Sequence, residues 1–260
     1  MLIDTHCHLD SEYFPEGPDE TIARARSAGV GGFVCVGVGS LQQTESALAL
    51  AQRRADVWAT VGVHPHDAAS FNPELEAELL RCAAQPRVVA IGEIGLDYHY
   101  DHSPRERQGE VFRRFIQLAR ERKLPIVVHT RSAPEETLQI LEQERAADVG
   151  GLIHCFSEDR AFARRALDLD FDLSFSGIVT FKRALEIQDV AAWAPVERIL
   201  VETDSPYLAP VPLRGKRCEP AYVLHTARFI AELRKVPLEE LAQQTSQNAA
   251  RRLGVQAVLN

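Results

Sequence analysis

Two histidines stand one residue apart near the start of the chain. His6 and His8 lie within the mainly apolar stretch Leu2–Leu9. Side chains alternate between the two faces of an extended strand, so His6 and His8 would point the same way. Two imidazoles on one face of a strand supply half of the ligands that a tetrahedral metal site needs.

Ligand-type side chains also stand at the ends of most of the later apolar runs. These residues are His64, Glu93, His129, His154, Glu202 and Asp204. One such residue alone would be explained as a packed or capping side chain, but six of the eight apolar runs end this way. Burying so many unpaired ionisable groups is costly, so the shared pattern favours a common metal site. Three other histidines in loop or helical contexts are interpreted as surface residues: His99, His102 and His225.

The predicted metal ligands are four imidazoles and two carboxylates: His6, His8, Glu93, His129, His154 and Asp204. Four nitrogens would saturate a single tetrahedral ion and leave no open position for chemistry. Two divalent ions about 3.5–4 Å apart would use all six ligands and keep coordination free, with Glu93 as the natural bridge. Imidazole-rich ligation favours Zn²⁺, Mn²⁺, Co²⁺ or Fe²⁺, and Mg²⁺ is the alternative where oxygen ligands dominate.

This ligand set predicts hydrolytic chemistry. A bound metal lowers the pKa of its water and supplies hydroxide near neutral pH. Asp204 would both bind metal and accept the proton of the water, so Asp204 and Glu93 are the predicted catalytic residues. Glu202, two residues earlier on the same strand face, is either a hydrogen-bond partner of a ligand or a packed carboxylate inside the barrel.

The stretch after the last apolar run locally reverses the charge of the chain. The formal net charge is −8, yet Arg214–Arg217 carries three positive charges in four residues. This loop is either a solvated tip or a contact for an anionic substrate, because arginine pairs well with phosphate. The predicted substrate contacts are Arg217, Arg131 and His64, the last of which is otherwise an ordinary strand-end residue.

Short β-branched runs separated by helical patterns would position these residues. Eight candidate strands begin near Leu2, Gly32, Val57, Val88, Pro125, Gly151, Asp172 and Ile199. Continuous apolar runs such as Ile126–Val128 are typical of strands buried on both faces of a parallel sheet. The runs recur at roughly the spacing of one βα unit, which predicts eight βα repeats.

Amphipathic helical patterns fill the intervals between these runs. They cover Asp19–Ala28, Leu41–Arg54, Pro73–Ala84, Pro104–Arg122, Ala133–Arg145 and Asp159–Leu169. Asn72 before Pro73, and Ser103 three residues before Glu106, are typical helix-start signals. A proline-rich loop and two further helical patterns follow the eighth run: Ser205–Pro220, Ala221–Arg234 and Leu238–Leu253.

The predicted fold is therefore a single-domain α/β chain over residues 1–260, a TIM (β/α)8 barrel with a C-terminal helical tail. In such a barrel the C-terminal strand ends form one face, where active sites lie, so the candidate ligands would converge there. The alternative is a doubly wound open sheet, but no glycine-rich phosphate loop follows any candidate strand.

The composition is that of an ordinary globular protein: 260 residues, 45% hydrophobic and 25% charged. The first apolar stretch is interrupted by Asp4 and has no basic leader, and every apolar run is far shorter than the ~20 residues of a membrane-spanning helix. Five cysteines without a CxxC motif indicate a reducing compartment, so a cytoplasmic location is expected. With a negative net charge, a nucleic-acid partner would need a local basic patch.

The motifs DTHCHLD, GVHPHD, IGEIGLDY, PIVVHTR, IHCFS and ETDSPYLAP, in this order and spacing, resemble the TatD family of metal-dependent deoxyribonucleases. The resemblance extends from Leu2 to about Leu253. It implies an amidohydrolase-like TIM-barrel hydrolase with the six metal ligands named above. It also implies exonuclease cleavage of DNA phosphodiesters from the 3′ ends of single strands, with His64 and Arg217 near the substrate phosphate. No membrane association and no obligate protein partner is expected.

One position departs from the family pattern, and other activities stay open. Cys218 stands where the family's late loop usually has the Asn of Arg-Asn-Glu-Pro, and a thiol lacks the donors and acceptor of an amide. The substrate could then be DNA, RNA or the ester of a mischarged D-aminoacyl-tRNA. Amidases, lactonases and esterases of the wider superfamily often bridge their metals with a carboxylated lysine, but no lysine ends a strand here. A non-catalytic scaffold would usually lack a ligand, and none is missing.

Overall fold

Eight parallel strands neighbour one another in the order of the chain. The computed structural model describes residues 1–258, so the last two residues of the predicted domain lie outside the described residues. The strands are β1 Leu2–Cys7, β2 Val30–Gly37, β3 Val57–Val61, β4 Val88–Asp97, β5 Ile126–Arg131, β6 Gly151–Ile153, β7 Phe171–Phe175 and β8 Ile199–Val201. All eight begin within two residues of their expected positions, which confirms the predicted barrel.

Helices alternate with the strands and surround them. They are α1 Pro18–Ser27, α2 Leu41–Arg53, α3 Pro73–Ala83, α4 Arg105–Arg122, α5 Pro134–Gln143, α6 Arg160–Asp168, α7 Leu185–Trp193, α8 Val223–Arg234 and α9 Leu238–Leu253. Helix α7 was not among the helical patterns identified from the sequence, since it is short and buries only Ile187, Val190 and Ala191. Among residues 1–258 there is no helix with the length and apolar character needed to cross a membrane.

The N-terminal end of the barrel is filled by an apolar core. Seven strands contribute one buried side chain each: Ile3, Val34, Trp58, Ala90, Val127, Leu152 and Leu200. Ala249 and Leu253 of α9 pack against this cluster and cover that end. A filled barrel interior leaves the C-terminal strand ends as the place for a functional site.

The barrel closes where β8 meets β1. The backbone N–H of Asp204 donates to the carbonyl of His6 at 2.9 Å, and the N–H of His8 donates to the carbonyl of Ser205 at 2.9 Å. The buried Asp4 carboxylate accepts two more hydrogen bonds, from the Thr203 N–H at 2.9 Å and from the Thr203 hydroxyl at 2.6 Å. This seam joins the first and last predicted ligand-bearing strands, which are about 200 residues apart in sequence.

The two predicted helix-start signals have different outcomes. The Asn72 side chain accepts a hydrogen bond from the Leu75 N–H at 2.8 Å, so this prediction is confirmed. The prediction for Ser103 is wrong, since α4 begins at Arg105 with no side-chain cap. The Ser103 hydroxyl instead donates to the His66 carbonyl at 2.6 Å and accepts a backbone N–H from the segment that contains His66. It is therefore not available to cap the helix.

A buried carboxylate joins three elements at the N-terminal end of the barrel. Asp172 of β7 is fully buried and accepts hydrogen bonds from Arg198, which precedes β8, and from Arg251 and Arg252 of α9. The Arg252 side chain is itself only 6% exposed. Removing one member of such a cluster leaves buried charge uncompensated.

Asp172→Ala should therefore lower the free energy of unfolding by about 3 kcal/mol. Urea denaturation followed by circular dichroism measures this change. Asp148→Ala is the control, because Asp148 makes its arginine pairs at the surface, with its side chain 40% exposed. A loss no larger for Asp172→Ala than for Asp148→Ala would contradict the structural role of the buried cluster.

Candidate metal centre

A cavity of about 570 Å³ opens at the C-terminal ends of the strands. Five of the six predicted metal ligands line it: His8, Glu93, His129, His154 and Asp204. The sixth, His6, is fully buried beside them. The structure thus brings together residues from five strands or strand ends, as expected for the catalytic face of a barrel.

Glu93 lies at the centre of this group. Its Oε1 atom is 2.8 Å from His129 Nδ1, 3.1 Å from His154 Nε2 and 3.4 Å from His64 Nε2. Its Oε2 atom is 3.4 Å from His6 Nε2. One carboxylate therefore faces four imidazoles, with each oxygen directed towards a different side of the cluster.

The two histidines of the HxH pattern share a face, as predicted from strand geometry. His6 Nε2 and His8 Nε2 lie 3.8 Å and 3.7 Å from the same oxygen, Asp204 Oδ1. The His6 ring also stacks on the His154 ring, with centroids 3.7 Å apart. Strand β1 and the segment after β8 therefore form one side of the cluster.

The side chains present fit a bound cation. Both nitrogens of His6 are buried, and neither has a hydrogen-bond partner within the described chain. Buried polar atoms are normally paired, and a cation bound at Nε2, the nitrogen that faces Glu93 and Asp204, would supply the missing partner of that atom. Ligand atoms of His6, His8 and Glu93 lie within 4.8 Å of one another, and so do those of His64, Glu93 and His129.

The carboxylates of the cluster are held ionised, whereas the pKa values of its imidazoles shift in both directions. Burial raises the pKa of the Glu93 carboxyl, but the imidazoles of His154 and His64 outweigh it and hold that pKa well below its usual range. Burial likewise opposes ionisation of Asp204, but the neighbouring imidazole of His8 outweighs it and lowers the pKa overall.

Burial lowers the pKa of His64 to about 4, and the pKa of His6 is lowered by burial and by His154. Burial also opposes the charge of His8, His129 and His154, but the neighbouring carboxylates outweigh it and raise the pKa of these three rings. Metal binds anionic carboxylates and neutral imidazoles, so an ion at this cluster would displace the protons of these three rings.

Glu202 orients one of these imidazoles. Its side chain is fully buried, and Oε1 lies 2.9 Å from His154 Nδ1 and accepts the Cys155 N–H at 2.7 Å. The hydroxyl of Ser174 donates to the other oxygen. A carboxylate at Nδ1 leaves Nε2 directed at Glu93, so these contacts favour the interpretation of Glu202 as a hydrogen-bond partner of a ligand.

Asp97 plays the same part for His129 and was missed by the sequence analysis. The carboxylate is buried, and Oδ2 lies 3.2 Å from His129 Nε2 and 2.9 Å from His66 Nε2. Holding Nε2 leaves His129 Nδ1 directed at Glu93. The alternation of side chains along a strand could have identified Asp97, because Asp97 follows Glu93 by four residues on β4 and so shares its face.

Gly95, between these two carboxylates, lets β4 approach β5 closely. Its φ is +146°, and a Cβ atom there would lie 1.9 Å from the His129 carbonyl oxygen. Any other residue would push the strands apart beside His129.

The predicted substrate contacts lie in different surroundings. His64 and Arg131 line the cavity, and the Arg131 guanidinium lies 4.7 Å above the ring of Tyr100, which is half exposed. Arg217 is not among the lining residues, since it donates to the Tyr13 carbonyl and to Glu16 Oε1, the latter at 3.0 Å. The structure therefore places Arg131 closer to the cavity than Arg217.

Four further residues singled out in the sequence lie outside the ligand cluster. Cys218 is fully buried, with Sγ 4.0 Å from the Thr203 carbonyl, so its side chain does not face the cavity. His99 and His102 are exposed, and the His102 ring lies 4.6 Å from that of His66 at the cavity edge. His225 is half-buried on α8.

Comparisons with known proteins agree with this geometry. The sequence profile of the family described as TatD related DNase matches residues 3–254. The uncharacterized metal-dependent hydrolase YabD of Bacillus subtilis is 44% identical over 251 residues, covering 96% of this chain and 98% of the relative. The 3′-5′ ssDNA/RNA exonuclease TatD of Salmonella typhimurium is 36% identical over 253 residues, covering 95% and 97%. The crystal structure of the TatD homologue YjjV from Escherichia coli superimposes with a TM-score of 0.90 at 30% identity, covering 98% of both chains. The chain therefore belongs to the TatD family of metal-dependent hydrolases.

Proposed function

We propose that this protein is a 3′-5′ exonuclease that hydrolyses phosphodiester bonds at single-stranded DNA ends with two divalent ions. The observation that carries the proposal is the position of Glu93, one carboxylate shared by two groups of imidazoles. The Salmonella typhimurium relative with the printed name 3′-5′ ssDNA/RNA exonuclease TatD supports the substrate class.

Three groups of side chains have ligand atoms close enough together to hold an ion: one is His6, His154 and Glu202, and the other two share Glu93 and support a pair of ions. Of the two that share Glu93, one contains His6 and His8 and the other contains His64 and His129. Imidazole-rich ligation favours Zn²⁺, Mn²⁺ or Co²⁺, with Mg²⁺ as the alternative. Such ions, when bound, supply Lewis acidity that polarises a phosphate oxygen and makes hydroxide available near neutral pH.

The protein's own side chains would position the substrate and move the proton. Asp204 is 14% exposed at the cavity wall, so its carboxylate can accept a proton from the attacking water. Arg131 supplies a guanidinium at the cavity for a phosphate oxygen. A cavity of about 570 Å³ takes one terminal nucleotide, with Tyr100 and Tyr207 in the wall as surfaces for a base.

A cytoplasmic location is part of this proposal. All five cysteines are free thiols, and four of them are buried. Free cysteines are typical of reducing compartments.

Metal-stripped protein should regain activity on end-labelled single-stranded DNA when Mn²⁺, Co²⁺, Zn²⁺ or Mg²⁺ is restored. Glu93→Ala should lose about 10³-fold or more of that activity, because both groups of ligands lose their common carboxylate. Gel analysis of product length and metal content per chain are the measurements, with exposed Glu12→Ala as the matched control.

Stepwise shortening from the 3′ end, with two ions per chain, is the expected result. Full activity with one ion per chain would overturn the two-metal part. No cleavage of DNA by protein that binds two ions would overturn the nuclease proposal, and hydrolysis of D-aminoacyl-tRNA or another ester would then be the activity to test.

Asp204→Asn should abolish turnover and leave the fold intact, because the amide cannot accept a proton and the side chain is not part of the apolar core. Turnover of single-stranded DNA and the thermal unfolding midpoint are measured together. Asp67→Asn is the control, since Asp67 also lines the cavity but is not among the six predicted metal ligands. Wild-type activity in Asp204→Asn would show that the proton acceptor is misassigned.

Arg131→Ala should raise KM for DNA about tenfold or more and change kcat little, because a lost charged hydrogen bond to a docked phosphate costs about 1.5–3 kcal/mol. Arg217→Ala should act in the same direction but more weakly, since Arg217 already pairs with Glu16. Steady-state kinetics on one oligonucleotide shows which of the two variants raises KM more. An effect confined to kcat at saturating DNA would contradict a docking role for either residue.

A further inference from the structure

We propose that the loops after β7 and β8 form one basic surface that holds the nucleic-acid strand on the 5′ side of the bond being cleaved. This inference rests on the proposed exonuclease function. The surface, called here the β7–β8 basic surface, consists of Lys182, Arg183, Arg214, Lys216 and Arg217, which are all exposed.

The charge of this surface is opposite to that of the whole chain. The chain has a formal net charge of −8. Residues 173–185 contain two basic side chains and no acidic one, and residues 205–218 contain three and no acidic one. A local concentration of positive charge on an acidic protein attracts polyanions to that place in particular.

Specific contacts hold the two loops together as one surface. The Arg214 guanidinium lies 4.3 Å above the Phe181 ring. The Val211 N–H donates to the Thr180 hydroxyl at 2.9 Å. Gly177 packs so closely that a Cβ atom would lie 2.1 Å from the Leu208 carbonyl oxygen. The two loops that carry the basic side chains are therefore held against each other.

This surface begins at the rim of the metal centre. Tyr207 and Leu208 line the cavity and belong to the same loop as Arg214 and Lys216. A strand with its terminal nucleotide in the cavity would leave it past these residues. In 3′-5′ cleavage the terminal nucleotide is the 3′ one, so the chain that crosses the surface is on the 5′ side.

Most of these charges have no acidic partner within the part of the chain that the structure describes. Arg217 pairs with Glu16, whereas none of the other four takes part in an ion pair among residues 1–258. Some surface arginines elsewhere are paired, as in Arg105 with Asp101 and Arg165 with Glu135. Three other exposed arginines, Arg122, Arg164 and Arg228, take part in no ion pair among residues 1–258, but they do not lie together on two adjoining loops. Unpaired cations spread over two loops match the repeating phosphates of a strand better than a single phosphate group.

The four lysines of the chain provide a matched pair of variants. Lys182 and Lys216 lie on the β7–β8 basic surface, and Lys123 and Lys235 are exposed at the C-terminal ends of α4 and α8. The test variant is Lys182→Gln with Lys216→Gln, which leaves the contact of Arg214 with Phe181 intact. Lys123→Gln with Lys235→Gln removes the same charge from the other end of the barrel.

The measurement is kcat/KM of the metal-loaded enzyme on a dinucleotide and on single-stranded DNA of about 20 nucleotides, between about 50 and 200 mM salt. The test variant should lose about tenfold on the long strand at low salt. The slope of log kcat/KM against log salt should become shallower by about 1.4, or ~0.7 for each lost phosphate contact. Activity on the dinucleotide, and both activities of the control variant, should match wild type.

If wild type cleaves the long strand and the test variant has an unchanged salt slope, the proposed strand-binding role of the surface is overturned. The proposed exonuclease function would still stand. Equal losses on the dinucleotide and the long strand would also overturn it, since the lysines would then act at the cavity. Failure of the wild-type enzyme to cleave either DNA would overturn the proposed function itself.

Discussion

The electrostatic balance around Glu93 is the interaction on which the site depends. A carboxylate that is 3% exposed is strongly disfavoured as an anion unless positive or polar groups surround it. Four imidazoles from four strands or strand ends face it within 3.4 Å. Divalent ions would add positive charge beside the buried Glu93 carboxylate. The stability of the site and its chemistry would then depend on the same carboxylate.

Outer carboxylates make that arrangement rigid. Glu202 holds His154 and Asp97 holds His129, in each case by the ring nitrogen that does not face Glu93. Each outer carboxylate is itself held by backbone N–H groups, so the rings have little freedom to turn. The seam between β8 and β1 fixes the remaining side of the cluster through the paired backbone bonds of His6 and Asp204. Such preorganisation keeps ligand geometry within narrow limits.

The chain as a whole and its proposed substrate carry charge of the same sign, and this constrains the rim. The bound ions would offset the carboxylates of the centre, but the net charge of −8 would repel a nucleic acid elsewhere on the surface. Under the proposed function, Arg131 at the cavity and the β7–β8 basic surface beside it would offset that repulsion where a strand approaches. The catalytic face thus has the candidate metal ligands at its centre and basic side chains at its edge.

The sequence by itself determined the strands and the ligand types, because apolar β-branched runs have a strong local signal and His, Glu or Asp at their ends stands out against it. It also indicated that His6 and His8 share a face, since that follows from the strand period alone. Only the tertiary structure decided which nitrogen of His129 and His154 faces Glu93, because Asp97 and Glu202 reach those rings from other strands. It likewise showed that Ser103 serves a loop rather than a helix, and that the β7 and β8 loops form one surface. These outcomes depend on contacts between segments distant in sequence, which local patterns do not encode.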